Sequence, residues 1–192
     1  MKALFRTRTM NRWKHNEPSG EIHAREMERF ITELAELLGS SVDPRELFSD
    51  FSRALESHYE IRKGFLALRE GEQTRFLAVA SWRTGGTRRN LSLRLPQASS
   101  FFEKVAESGQ LYSENVGQFF DGNSIEKHLL FDDDTVSFML RPLKHNGELI
   151  ALLGYSSDVP DAFVTIQDGV LDRAFDQLAI RLAALLTTRV TA

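Results

Sequence analysis

Two arginines, three phenylalanines and one histidine are the side chains of this sequence with most to offer a small molecule. Arg94 and Arg141 each present a planar fork of donors that suits a carboxylate or phosphate, and both fall in apolar, strand-like runs. Phe119, Phe120 and Phe131 stand in the least regular stretch, residues 116–134, where rings either wall a hollow or plug it. His128 precedes Asp132-Asp133-Asp134, and imidazole with carboxylates suits several divalent ions. The spacing matches no compact ligand set, however, and a solvated helix exit accounts for the acids, so no metal is expected. The other histidines, His15, His23, His58 and His145, are scattered. Arg94, Phe119, Phe120, His128, Phe131 and Arg141 are therefore the expected ligand contacts. The competing assignment leaves both arginines in solvent or in ion pairs at a strand edge, since pockets hold few polar groups.

Other chemistry is excluded by what is missing. The chain has no cysteine, which removes disulfides, thiolate metal sites, a cysteine nucleophile and any thioether-tethered cofactor. There is no Gly-x-Ser-x-Gly elbow, no glycine-rich phosphate loop and no His-Glu-x-x-His helix. The expectation is a non-catalytic protein without cofactor. The formal charge of −3 over 192 residues hides a basic start, with Lys2, Arg6, Arg8, Arg12 and Lys14 against Glu17. Residues 1–18 read as a flexible tail. Arg83, Arg88 and Arg89 flank Gly85-Gly86 as a small positive turn, but an acidic body without a helix-turn-helix signature argues against a nucleic-acid partner. No run approaches the roughly twenty apolar residues of a membrane span, and no secretory block leads the chain. A cytoplasmic location is expected.

The elements that must position these residues are legible in the hydrophobic period. From Ser19 to about residue 40, Ile22, Met27, Phe30, Ile31, Leu34, Leu37 and Leu38 form a narrow helical stripe. Asp43-Pro44-Arg45-Glu46 combines a cap, a first-turn proline and a capping-box glutamate. Strand-like runs follow at 65–69 and 74–82, with a third at 90–95 in which Leu91, Leu93 and Leu95 alternate with polar residues. Ser100 opens a short helix that Gly109 should stop, 111–115 reads as a brief strand, and Ser124 as the cap of one or two helical turns. Val136–Lys144 and Leu149–Tyr155 are apolar strands joined at Asn146-Gly147, a pair suited to the positive φ angles of a tight hairpin. A long periodic helix runs from Phe163 to Thr188. The narrow first stripe suggests a homodimer through Met27, Phe30, Leu34, Leu37, Leu178 and Leu182, unless both terminal helices simply cover their own sheet.

The last third of the chain carries a family resemblance. Phe138 to Leu143 ends in Pro-Leu; Asn146-Gly147-Glu148 follows; Leu149–Leu153 leads to Gly154; and Phe163 precedes Thr165-Ile166-Gln167-Asp168. Together these residues resemble the closing pattern of GAF domains, over residues 41 to 188. Arg141 stands where that family usually has an apolar residue, and Ala151 where many members have glycine. The resemblance implies an α+β fold, GAF-like and PAS-related. Its antiparallel sheet of five or six strands would carry the N- and C-terminal helices on one face, with a loop and short-helix lid over a ligand on the other. Residues 41–192 would form the domain and 19–40 an N-terminal helix. It also implies a sensory or regulatory role with an unidentified small-molecule ligand; if the chain is a whole gene product, the output is expected to pass through a separate protein partner. The family's methionine sulfoxide reductases and covalent bilin binders rely on cysteine, which is lacking, and the Asn-Lys-Phe-Asp-Glu signature of its cyclic-nucleotide binders is absent. The alternatives to sensing are a dimerisation or interaction scaffold whose hollow is filled by its own side chains, and an enzyme with an unrecognised carboxylate pair.

Overall fold

The hairpin at Asn146-Gly147 anchors the sheet. Both residues take positive φ, +52° and +81°, and the two-residue turn joins β5 (Ser137–His145) to β6 (Glu148–Ser157), with His145 paired to Glu148. A computed structural model describes residues 20–71, 75–97, 100–116, 120–164 and 171–190. Before the hairpin come α1 (Gly20–Ser40), α2 (Pro44–Glu56), β1 (Lys63–Glu70), β2 (Arg75–Arg83), β3 (Thr87–Arg94), α3 (Phe101–Ser108), β4 (Tyr112–Asn115) and α4 (Ser124–Leu130); after it comes α5 (Asp172–Val190). The strands form one sheet in the order β3-β2-β1-β6-β5-β4, antiparallel throughout. This is the expected α+β architecture. The expected basic tail lies outside the described residues.

Period-two alternation sorts the strands' side chains into two cores. Leu66, Met139, Leu143, Ala151, Leu153 and Tyr155 face α1, α2 and α5. Phe65, Ala67, Phe138, Leu140 and Leu152 face α3 and α4. Where β1 meets β6 the two faces interlock: Gly64 lies opposite Tyr155 and Phe65 opposite Gly154. A Cβ on Gly154 would sit 2.1 Å from the Phe65 ring, and one on Gly64 2.5 Å from Tyr155. Each ring thus occupies the space that a side chain on the facing strand would need. Tyr155 also shares a buried 2.7 Å hydrogen bond with Ser52 of α2.

Helix starts follow from local chemistry. Asp43 accepts from Arg45 N at 2.6 Å and Glu46 N at 3.2 Å, while the Glu46 carboxylate reaches Val42 N rather than closing a box on Asp43. Ser100 accepts from Glu103 N, and Gly109 ends α3 in the left-handed region at φ +65°. At α4 the cap is Asn123, not Ser124; Asn123 and Glu126 complete a reciprocal box.

The helix pair α1–α5 corrects the expected dimer contacts. Phe30, Leu34, Leu178 and Leu182 are buried inside their own core, so none is available to a symmetry mate. Arg181 Nη2 donates to the carbonyls of Gly39 (3.0 Å) and Ser41 (2.8 Å), and Arg173 pairs with Glu28, fastening α5 to α1. Leu37 alone of the described set keeps an exposed face, at 38%; the Met27 side chain lies outside the described residues. The narrow stripe is satisfied intramolecularly because α2 and α5 both pack against α1. Among the described residues no helix is long and apolar enough to cross a membrane.

Candidate functional site

The side of the sheet opposite the terminal helices carries α3 and α4, and two buried charges hold them in place. Glu126 is 0% exposed. Its Oε1 accepts from Ser100 Oγ (2.6 Å) and Phe102 N (3.0 Å), and its Oε2 from Phe101 N (3.0 Å) and Asn123 N (3.1 Å). One carboxylate thereby satisfies the otherwise unpaired first amides of α3 and ties that helix to α4. At the other end of α4, the buried Lys63 ammonium donates to His128 O (2.7 Å), Phe131 O (2.9 Å) and Asp132 Oδ1 (3.1 Å). Burial outweighs Asp132 and lowers the Lys63 pKa. Arg83 also grips Asp132, at 2.7 Å.

Between these fixed helices and β4–β5 lies an aromatic recess. Phe101 meets Tyr112 edge-on at 5.1 Å and Phe120 at 5.0 Å, and Phe120 meets Phe138 at 6.0 Å. These ring planes cross at 82°, 64° and 83°, so they stand as successive walls of a corner. The cavity they border with Glu114, Asn115, Val116 and Asp121 has a volume of about 140 Å³. Tyr112 donates to Glu114. Burial first, and then that bond, pushes its phenol up to about 12. Asp121 is held below the usual carboxylate range by Lys104, which bonds it at 2.6 Å.

A larger hollow of about 1170 Å³ opens on the far side of α4, lined by Arg62, Arg83, His128 and Asp132 among others. It is a broad, open cleft in which Arg62 pairs with Asp158 at 2.8 Å and Arg83 with Asp132. Both of its arginines are thereby engaged, and it encloses a ligand less than the recess does; ligand sites bury most of what they hold. Phe120 and Phe131, 4.8 Å apart, stand between the two, Phe120 lining the recess and Phe131 the cleft.

The expected contacts are thus dispersed. Phe120 lines the recess and Phe131 backs it, while His128 lies exposed at the cleft. Phe119 lies outside the described residues. Arg94 is corrected: it is on edge strand β3, largely exposed, and pairs with Glu70 at 3.0 Å. Leu93, opposite Ala78, keeps the lid face it shares with Leu91 and Leu95 but stands on the edge strand 37% exposed, and Arg94 alternates to the other face opposite Leu77. Arg141 is corrected too. It shares the helix face with Met139 and Leu143, pairs with Asp172 of α5 at 2.8 Å and lies 5.2 Å from the Phe175 ring. The recess residues that sequence reasoning missed are Phe101, Tyr112, Glu114, Asn115, Val116, Asp121 and Phe138. Only Phe138 carried a signal, since alternation puts it on the face opposite Met139.

No family model and no curated protein sequence matches the chain. Solved structures do. The chain is similar to the GAF domain of a phosphoenolpyruvate-protein phosphotransferase from Coxiella burnetii, with 13% identity, 87% of this chain and 98% of that one covered, and a TM-score of 0.68. It is similar to the GAF domain of a two-component sensor histidine kinase from Bacillus halodurans, at 14% identity, 77% and 99% coverage and a TM-score of 0.64. It is also similar to the free methionine-R-sulfoxide reductase of Neisseria meningitidis, solved with its substrate, at 12% identity, 86% and 93% coverage and a TM-score of 0.66. The chain therefore has the GAF-like α+β fold. The reductase overturns the expectation of a non-catalytic protein: this fold serves as an enzyme in that neighbour, so the architecture does not set catalysis aside.

Proposed function

We propose that the chain is a GAF-like regulatory module that takes a small molecule in the recess bounded by Phe101, Tyr112, Phe120 and Phe138, and transmits occupancy to its terminal helices and a partner protein. The observation that carries this reading is the recess itself: a concave aromatic site with few polar groups, set on the lid side of the sheet. Strand β5 supplies the connection. Phe138 lines the recess on one face, and three residues on Arg141 grips Asp172 and covers Phe175 of α5 on the other. A ligand that displaces Phe138 acts on the strand to which α5 is tied. The likeness to the GAF domain of a sensor histidine kinase supports a signalling role.

Native mass spectrometry of the protein as purified, followed by thermal-shift screening of amino acids, nucleotides, small acids and amines, tests the reading. A bound or stabilising compound should slow hydrogen exchange at the start of α3 and in β4. A blank screen with no retained mass refutes it. One observation favours a second reading, an interaction scaffold with a filled hollow: the rings touch one another at 4.8–5.1 Å, so the lid's own side chains occupy most of the space.

A further inference from the structure

We infer that the ligand of this recess is a compact organic cation of the quaternary or branched alkylammonium class. The inference rests on the reading that the recess binds a ligand, and it adds the ligand's charge and size. Four rings border the site, crossing at 64–83° in the pairs Phe101–Tyr112, Phe101–Phe120 and Phe120–Phe138 and at 34° in Tyr112–Phe138. A lining this rich in rings suits a positive centre, since a ring face attracts a cation and aromatic cages hold methylated ammonium groups in this way. Tyr112 keeps its proton and donates it to Glu114, which makes that ring more electron-rich.

The polar residues around the recess agree in sign. Glu114 and Asp121 border it, and no described lining residue is Arg, Lys or His. Two of its side-chain donors are engaged: the Tyr112 hydroxyl with Glu114, and one N–H of the Asn115 amide with Asp161 at 2.8 Å. An anionic ligand would meet two carboxylates there and no cationic side chain among the described lining residues. The nearest cation, Lys104, pairs with Asp121 on the exposed rim, a bond that solvent screens and an incoming cation can displace. Size sets the other limit. At roughly 30 Å³ for each water-sized group, about 140 Å³ accommodates some five heavy atoms, the number in tetramethylammonium. The rest of a larger ligand, such as a hydroxyethyl arm, would extend past Glu114 and Asp121 into solvent.

The decisive experiment is calorimetric titration of the full chain with choline and with its neutral isostere 3,3-dimethyl-1-butanol, beside tetramethylammonium and acetate. Choline should bind about tenfold more tightly than the isostere, a difference of about 1.4 kcal/mol. Binding should weaken with added salt, and both Glu114→Gln and Tyr112→Leu should shrink the preference. Circular dichroism confirms that each variant folds; if Tyr112→Leu does not, Glu114→Gln carries the test. Equal or tighter binding of the isostere, or binding of acetate instead, overturns the cationic class and leaves the recess a ligand site. If none of the four binds but the broad screen finds a ligand that protects β4, the cationic class again fails alone. If that screen is blank as well, both readings fall.

Discussion

Replacing Glu126 tests whether one buried carboxylate holds the lid together. In Glu126→Gln the amide has one oxygen for four donors. Placed at Oε2, that oxygen keeps the amides of Phe101 and Asn123. The new NH2 then faces Ser100 Oγ, which has a lone pair to accept, and Phe102 N, which has nowhere to donate. The opposite placement strands two backbone amides, so the first is preferred; it leaves the Phe102 amide without an acceptor and turns the Ser100 hydroxyl proton away from the side chain. An orphaned buried donor costs about 1–3 kcal/mol, and that is the predicted loss. Glu126→Ala removes all four acceptor contacts and should cost at least about 2 kcal/mol more than Gln. Urea unfolding followed by circular dichroism gives both differences, and hydrogen exchange at residues 101–103 localises them. A Gln variant within about 0.5 kcal/mol of the parent, or an Ala variant no worse than Gln, would refute this account of the lid.

Gly154→Ala should destabilise by about 1–3 kcal/mol through overpacking against Phe65, measurable as a lowered urea midpoint with unchanged slope. Leu34→Ala should cost about 2–5 kcal/mol because Leu34 is buried between α1 and its neighbours, while Ile180→Ala, half exposed on α5, should stay within about 0.5 kcal/mol in the same assay. Alkaline titration read at the tyrosinate absorbance should leave Tyr112 and Tyr155 protonated at pH 11 in the folded protein. Burial raises both, Tyr112 to about 12 and Tyr155 further. The unfolded chain loses these protons from about pH 10, so stability holds below pH 10 and falls as pH rises above it; full ionisation of the folded protein at pH 11 would contradict the burial of both rings.

What the sequence disclosed, it disclosed through local rules. The turn at Asn146-Gly147, the Asp43-Pro44 helix start and the Gly109 stop each need only a few neighbouring residues, and all three appear in the structure. The sheet followed from those markers and the apolar runs between them. The candidate site did not, because its parts meet across the fold. Glu126 is bonded to residues 24 to 26 positions earlier, and no spacing rule connects them. The Asn123-x-x-Glu126 box was nevertheless readable, and taking Ser124 as the cap overlooked it. Arg141 was misplaced for a simpler reason: a guanidinium invites a ligand, yet strict alternation from Met139 already put it on the helix face. Arg94 was misplaced for the same reason, since it alternates with Leu93 and Leu95 on the lid face and so points away from the lid.

The crossing of Gly64-Phe65 with Gly154-Tyr155 has a lasting effect on how this chain can change. Since every ring there fills its opposite strand's vacancy, volume is conserved between positions 64 and 155, and separately between 65 and 154. Drift at any of the four must be answered by its counterpart on the neighbouring strand, while the adjacent residue in the chain is indifferent to it. Homologues and engineered variants should therefore exchange bulk within these two facing couples, and each couple governs a single layer: 65 with 154 the lid, 64 with 155 the terminal helices.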